Sequence, residues 1–70
     1  MERRRVNSSN INSIGYEPGS MTLEVEFHSG SVYQYYGVPE HVNSAFMSAA
    51  SKGTFLNDNI KDRYRCRQVR

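Results

Sequence analysis

The chain has few features that would cross-link it or anchor it in a membrane. Cys66 is its one cysteine, so no disulfide can form within the chain, and tryptophan is absent. A lone cysteine is typical of proteins that work in reducing surroundings, and we expect a cytoplasmic location. No apolar stretch approaches the roughly 20 residues that a membrane-spanning helix needs. The arginines after Met1 have no apolar run behind them, so we expect no export signal.

Residues with catalytic or metal-binding spacing are also scarce. No pair among His28, His41 and Cys66 has the spacing of a metal site. The serines lie in no nucleophile-elbow motif, and no glycine-rich loop is present to hold a phosphate. Glu24 and Glu26 alternate along one predicted strand, where exposed carboxylates are usually solubility groups. We therefore expect no enzymatic activity, no metal, no cofactor, no membrane contact and no small-molecule substrate.

Positive charge is concentrated near the two ends. Between Val6 and Asp62, two lysines face six acidic residues, a net charge of −4. The ends either bind a phosphate backbone or are solvated segments that keep the protein soluble. If the folded ends lie close together, they form one basic face on an acidic domain. The positive charge of the two ends comes from seven arginines, which are Arg3, Arg4, Arg5, Arg63, Arg65, Arg67 and Arg70.

Alternating apolar and polar residues predict three antiparallel strands. Ile11 is out of phase with Ile14, which indicates a bulge near Asn12 and Ser13. Pro and Gly after the first strand predict a type II turn over residues 17–20, with Gly19 at positive φ. The three predicted strands are residues 10–16, 21–27 and 31–36.

The loop between the second and third strands decides which face the tyrosines occupy. A two-residue loop would put Tyr33 and Tyr35 outside, whereas a three-residue loop with Gly30 in a left-handed conformation would put them inside. Glycine stands third in the stretch 28–30, which favours the second arrangement. We predict Tyr33 and Tyr35 on the core face and Tyr36 on the opposite face, where its ring can stack on a base.

Two helices are predicted after the strands. Pro39 is a good first residue, and Gly53 is placed to end the first helix. The second helix is predicted over residues 54–63. We expect Phe46 and Ile60 to be among the most buried residues. The apolar stripe of the first helix is Val42, Ala45, Phe46 and Ala49. The fold class is therefore α+β, a three-stranded antiparallel β-meander followed by two α-helices on one face of the sheet.

A polar cluster lies near the predicted junction of the helices. It consists of Ser51, Lys52 and Asn57. These side chains either cap helix ends or bind an anion at a helix N-terminus.

Several short motifs, in this order and spacing, resemble the KTSC domain family. They are Ser8-Ser9-Asn10-Ile11, Ile14-Gly15-Tyr16, Leu23-Glu24-Val25-Glu26-Phe27, Gly30 with Val32-Tyr33-Gln34-Tyr35, Val38-Pro39, and Ala50-Ser51-Lys52-Gly53 followed by Phe55, Asn57 and Ile60. The family is named for the C-terminal segment of some lysyl-tRNA synthetases and also occurs as small bacterial and phage proteins. The resemblance covers about residues 6–64 and implies one domain there. From their charge, we expect residues 1–5 and 65–70 to be flexible basic termini. The resemblance also implies binding, with RNA as the suggested ligand, rather than catalysis.

We therefore expect a small RNA-binding module. The alternative is a protein-interaction module of phage or mobile-element origin that engages a host protein through Glu24, Glu26 and Asp58. Gly30, Tyr33, Tyr35, Pro39 and Gly53 would be structural. The candidate nucleic-acid-binding residues are Arg3, Arg4, Arg5, Tyr36, Lys52, Arg63, Arg65 and Arg67.

Overall fold

Five strands form one antiparallel sheet, and two helices cover one of its faces. The computed structural model describes residues 1–70. The strands lie side by side in chain order, with the last strand paired to the fourth after the helices. The α+β class is as predicted. The elements are β1 (Arg4–Arg5), β2 (Ile11–Glu17), β3 (Thr22–Phe27), β4 (Val32–Tyr36), α1 (Glu40–Ser48), α2 (Lys52–Asn59) and β5 (Arg65–Gln68).

The prediction of three strands was wrong because both arginine-rich ends join the sheet. Arg4 and Arg5 pair with β2 at one edge. The segment Arg65–Gln68 pairs with β4 at the other edge. The first segment is too short to show an alternation, and the alternation of Arg65 and Arg67 with Cys66 fits a frayed tail as well as a strand.

The bulge in β2 is confirmed, whereas the turn after β2 differs from the prediction. The register between β2 and β3 shifts between Ile11 and Ser13. In the turn, Met21 has the positive φ (52°), and Gly19 does not. The Met21 N–H donates to the Pro18 carbonyl at 3.3 Å, so the turn spans residues 18–21. The Glu17 carboxylate accepts the Gly19 N–H at 2.8 Å, which moves the reversal one residue along the chain.

The hairpin between β3 and β4 has the predicted three-residue loop. Gly30 has a φ of 96°. Val25 faces Tyr33, and Leu23 faces Tyr35 across the ladder. Tyr35 is only 4% exposed, and burial, followed by nearby Cys66, raises its pKa to about 12. Both tyrosines therefore lie on the core face.

Gly30→Val should lower the free energy of unfolding by about 1 kcal/mol or more, since a β-branched residue resists positive φ. Crowding is not the reason, because no atom lies within 4 Å of the position that a Cβ would take. Gly30→Asn is the matched control, because asparagine tolerates the left-handed region. Urea unfolding measures both variants. A valine variant as stable as the wild type would contradict this account of the loop.

The helices begin and end at other residues than predicted. Pro39 is the N-cap of α1 rather than its first residue. The Ser51 side chain accepts the Thr54 N–H at 3.4 Å and caps α2, which therefore begins at Lys52. Gly53 accordingly lies inside α2 and does not end α1, and Ala45 is exposed. No helix has the length and hydropathy required to cross a membrane.

The core lies between the helices and one face of the sheet. Phe46 and Ile60 are fully buried, as predicted, and belong to the same cluster as Leu23 and Val25. The Phe46 ring stacks on Phe55, with 5.6 Å between the ring centroids. The other face of the sheet carries no helix, although Glu24 and Val32 on it are also buried.

Candidate nucleic-acid interface

Every second side chain of each strand lies on the side of the sheet that faces away from the helices. We call this side the outer face. The strand register fixes the neighbours on this face. Glu24 lies opposite Gln34, Gln34 opposite Arg67, and Tyr36 opposite Arg65. The outer face consists of Ser13, Gly15, Glu17, Thr22, Glu24, Glu26, Val32, Gln34, Tyr36, Arg65 and Arg67, with Arg3 and Arg5 at its β1 edge.

A row of hydrogen bonds crosses the outer face through Glu24. Arg3 forms an ion pair with Glu24 through Nη1, and the Gln34 amide donates to the other carboxylate oxygen at 2.8 Å. The Tyr36 hydroxyl donates to Gln34 Oε1 at 3.0 Å. Burial alone would raise the pKa of Glu24, but the hydrogen bonds from Gln34 and Arg3 outweigh it and lower the pKa. Glu24 is therefore ionised at neutral pH and already paired.

Glu26 has a second set of partners. The Asn12 amide and the Ser13 hydroxyl each donate to Oε1 at 2.8 Å, and Arg70 Nη2 lies 2.7 Å from Oε2. The hydrogen bonds from Asn12 and Ser13 lower the pKa of Glu26, and the charges of Arg3 and Arg70 lower it further. The expectation that Glu24 and Glu26 are exposed solubility groups was wrong, because Glu24 is 6% exposed and both carboxylates are paired within the fold.

Gly15 lets β1 approach β2 closely enough to place Arg3 over these glutamates. A Cβ at Gly15 would lie 2.5 Å from the Glu2 carbonyl oxygen and 3.0 Å from the Arg3 side chain. A larger residue would have to push β1 away. Arg3 Nε donates to Ser13 Oγ at 2.9 Å, which fixes the guanidinium above β2. Arg3, which the sequence suggested as a nucleic-acid-binding residue, thus also has a structural role in the sheet.

The seven arginines fall into two groups. Arg3 and Arg70 account for every ion pair within 4 Å in the protein. Arg63 lies in the turn after α2, where its Nε donates to the Asp58 carbonyl at 3.3 Å. The arginines without a carboxylate partner are Arg4, Arg5, Arg63, Arg65 and Arg67.

The two arginine-rich ends lie at opposite edges of the sheet, and only Arg3 and Arg70 meet, at the Glu26 carboxylate on the outer side. β1 and β5 are the opposite edges of a five-stranded sheet. Four strand spacings of about 4.8 Å separate the edges by about 19 Å. Arg4, opposite Ile14, lies on the helix side of β1, whereas Arg5, opposite Ser13, lies on the outer side. The structure therefore brings together Arg65, Arg67 and Tyr36, and leaves Arg4, Arg5 and Arg63 apart from them.

Lys52 lies on the other side of the sheet from the outer face. It lines a groove of about 1000 Å³ between the core side of the sheet and the link that joins the helices. Its ammonium donates to the Ala49 carbonyl at 3.0 Å. For the cluster of Ser51, Lys52 and Asn57, the sequence suggested either helix capping or anion binding. Ser51 caps α2, and Asn57 lines the groove beside Lys52. This groove was not recognised from the sequence, since its walls come from segments far apart along the chain.

Comparison with known proteins identifies the family of this small α+β domain. The sequence profile of the KTSC domain matches residues 7–64. A KTSC domain protein of Yersinia pestis, known from a crystal structure, has a TM-score of 0.96 and 46% identity, covering 99% of this chain and 97% of that chain. The chain belongs to the KTSC domain family.

Its relatives include both small proteins and large enzymes. An uncharacterized protein of Stutzerimonas stutzeri is 41% identical over 64 residues, which cover 91% of this chain and 90% of that protein. The lysine–tRNA ligase of Nostoc punctiforme is 41% identical over 59 residues, which cover 84% of this chain but only 10% of the ligase. The family therefore exists both alone and as a small part of a larger protein.

Proposed function

We propose that the protein binds single-stranded RNA through the β4–β5 half of the outer face. One observation carries the proposal. The β4–β5 register puts Tyr36 opposite Arg65, with Arg67 next on the same strand face, and neither arginine has a carboxylate partner. Aromatic rings stack on unpaired bases, and arginines neutralise the phosphates that connect them.

The relatives add support of a different kind. Lysine–tRNA ligases are enzymes whose name includes an RNA substrate, and the Nostoc punctiforme enzyme has a segment similar to 84% of this chain. A small module attached to such an enzyme is well placed to contact RNA. This argument concerns the ligases, and it supports RNA binding here only together with the arrangement of Tyr36, Arg65 and Arg67.

The alternative, a module that engages a host protein through its carboxylates, has less support. It was based on Glu24, Glu26 and Asp58. Glu24 is paired with Arg3, and Glu26 is paired with Arg70. Two of the three carboxylates would have to leave partners within the fold before they could bind a basic surface. RNA binding needs no such rearrangement, since Arg65 and Arg67 are exposed.

Removing both arginines should weaken RNA binding and make it less sensitive to salt. The double variant Arg65→Gln/Arg67→Gln should reduce the slope of log affinity against log salt by up to about 1.4, at about 0.7 per single-strand contact. Fluorescence anisotropy with a labelled single-stranded RNA, at several salt concentrations, measures this slope. Arg63→Gln removes a positive charge from the same end of the chain, but away from Tyr36, and serves as the control. A slope reduction by the control about half as large as that of the double variant, in proportion to the charges removed, would argue for general charge attraction instead.

The same assay tests the aromatic ring. Tyr36→Ala should lower affinity by about 1–3 kcal/mol with little change in salt slope, because stacking is not ionic. Tyr36→Phe keeps the ring and loses only the hydrogen bond to Gln34, so it should bind almost as the wild type does. A phenylalanine variant as weak as the alanine variant would show that the ring does not stack on the RNA.

A further inference from the structure

The groove around Lys52 is large enough to hold a small ligand, and polar side chains make up most of its lining. Its volume of about 1000 Å³ lies within the range of small-molecule pockets. Phe27 and Tyr33 line it as an edge-to-face aromatic pair, with 5.8 Å between the ring centroids. The side chains of Asn7 and Asn57 are exposed along its wall. The groove thus combines aromatic surface with amide groups that can both donate and accept hydrogen bonds.

Lys52 gives the groove a positive charge with no carboxylate partner. Its ammonium donates to the Ala49 carbonyl at 3.0 Å, which uses one of three N–H donors and holds the charge in a half-buried position. The lining also includes Lys61 and Asp62, which leaves a net charge of +1. A concave surface of one charge focuses the field and attracts an ion of the opposite charge.

We propose that the groove binds a nucleoside 5′-monophosphate unit. The phosphate would accept hydrogen bonds from Lys52, and the base would contact the aromatic rings and the asparagine amides. An inorganic anion would leave the aromatic and amide groups unused, and an uncharged ring compound would leave Lys52 without a counter-charge. This site shares no residue with the RNA-binding half of the outer face, so it does not depend on the function proposed above. The sequence suggested only an anion at Ser51, Lys52 and Asn57, and the base is suggested by the aromatic wall of the groove.

Amide chemical shifts of the ¹⁵N-labelled protein test the proposal. The four ribonucleoside 5′-monophosphates should produce saturable shifts at the amides of Lys52, Gly53 and Asn57. The unphosphorylated nucleosides and inorganic phosphate should bind at least about tenfold more weakly, since each lacks half of the contacts. Unshifted groove amides at millimolar nucleotide, or equally tight binding of inorganic phosphate, would overturn the proposal.

Variants of the groove separate binding from folding. Lys52→Gln should raise the Kd at least about tenfold, because a charge-assisted hydrogen bond is lost. Asn57→Asp keeps the side-chain shape at an exposed position and should also weaken binding, because it repels a phosphate. Arg4→Gln removes one positive charge outside the groove and is the matched control. A groove variant that binds nucleotide as tightly as this control would overturn the proposal.

A free nucleotide and the end of an RNA strand share this chemistry. If the end of an RNA strand is the natural source, a short RNA with a 5′-phosphate should shift the groove amides at a lower concentration than a free nucleotide does. If the free nucleotide is the natural source, the RNA should require the higher concentration. Either order supports the proposed ligand chemistry, whereas unshifted amides with both overturn it. The double variant Arg65→Gln/Arg67→Gln should still bind free nucleotide, so failure of the groove and failure of the RNA-binding face give different results.

Discussion

Phe46→Ala should lower the free energy of unfolding by about 3 kcal/mol or more. Phe46 is fully buried and stacks on Phe55, so the substitution removes apolar surface and leaves a cavity between the sheet and α2. A domain of this length is only marginally stable, and such a loss would populate the unfolded state at room temperature. Urea and thermal unfolding measure the loss.

A conservative change at the same position is the control. Phe46→Leu keeps an apolar side chain and leaves a smaller cavity, so it should retain most of the stability that Phe46→Ala loses. If Phe46→Ala instead melts within about a degree or two of the wild type, the helix does not pack on the sheet through this residue.

Arg3→Ala should be the next most damaging change, lowering the free energy of unfolding by about 1–3 kcal/mol at neutral pH. It would leave the buried Glu24 carboxylate without its ion pair. Arg4→Ala is the matched control at the neighbouring position, since Arg4 has no carboxylate partner within 4 Å. We expect only a small effect from it.

The pH dependence of the Arg3→Ala destabilisation follows from the lowered pKa of Glu24. The folded pKa of Glu24 lies below the ordinary pKa of a glutamate, so the carboxylate contributes its full stability above that ordinary value. The contribution is lost as the pH falls through the folded pKa. Burial raises the pKa of Glu24, and without Arg3 this effect is less opposed. The difference between wild type and Arg3→Ala should therefore be largest near neutrality and shrink in acid, and a constant difference would contradict the ion pair.

The central strands and both helices could be predicted because each buries a regular apolar pattern. Leu23 and Val25 alternate with polar residues, and Phe46 lies in a helical stripe, so the period indicates the element. β1 has too few residues to show a pattern, and the alternation around β5 could not be told from that of a frayed tail, because every residue of β5 is exposed. Gly53 was misread because a local contact, the Ser51 cap, moved the start of α2.

The site was predicted less completely than the fold. Arg65, Arg67 and Tyr36 could be named from residue type, but their proximity depends on β5 pairing with β4 across two intervening helices. The burial of Glu24 was missed because alternation assigns it to the open face. Arg3, which β1 places over β2, covers that part of the face together with Gln34.

RNA binding at the β4–β5 half of the outer face is tested most directly by mapping amide shifts during titration with a single-stranded RNA. We predict that the largest saturable shifts on the sheet fall on Gln34, Tyr36, Arg65 and Arg67. We also predict tighter binding than that of a scrambled peptide with the same seven arginines. The account would be contradicted if the amides of β4 and β5 stayed unshifted while RNA bound, or if the scrambled peptide bound RNA as tightly as the folded protein.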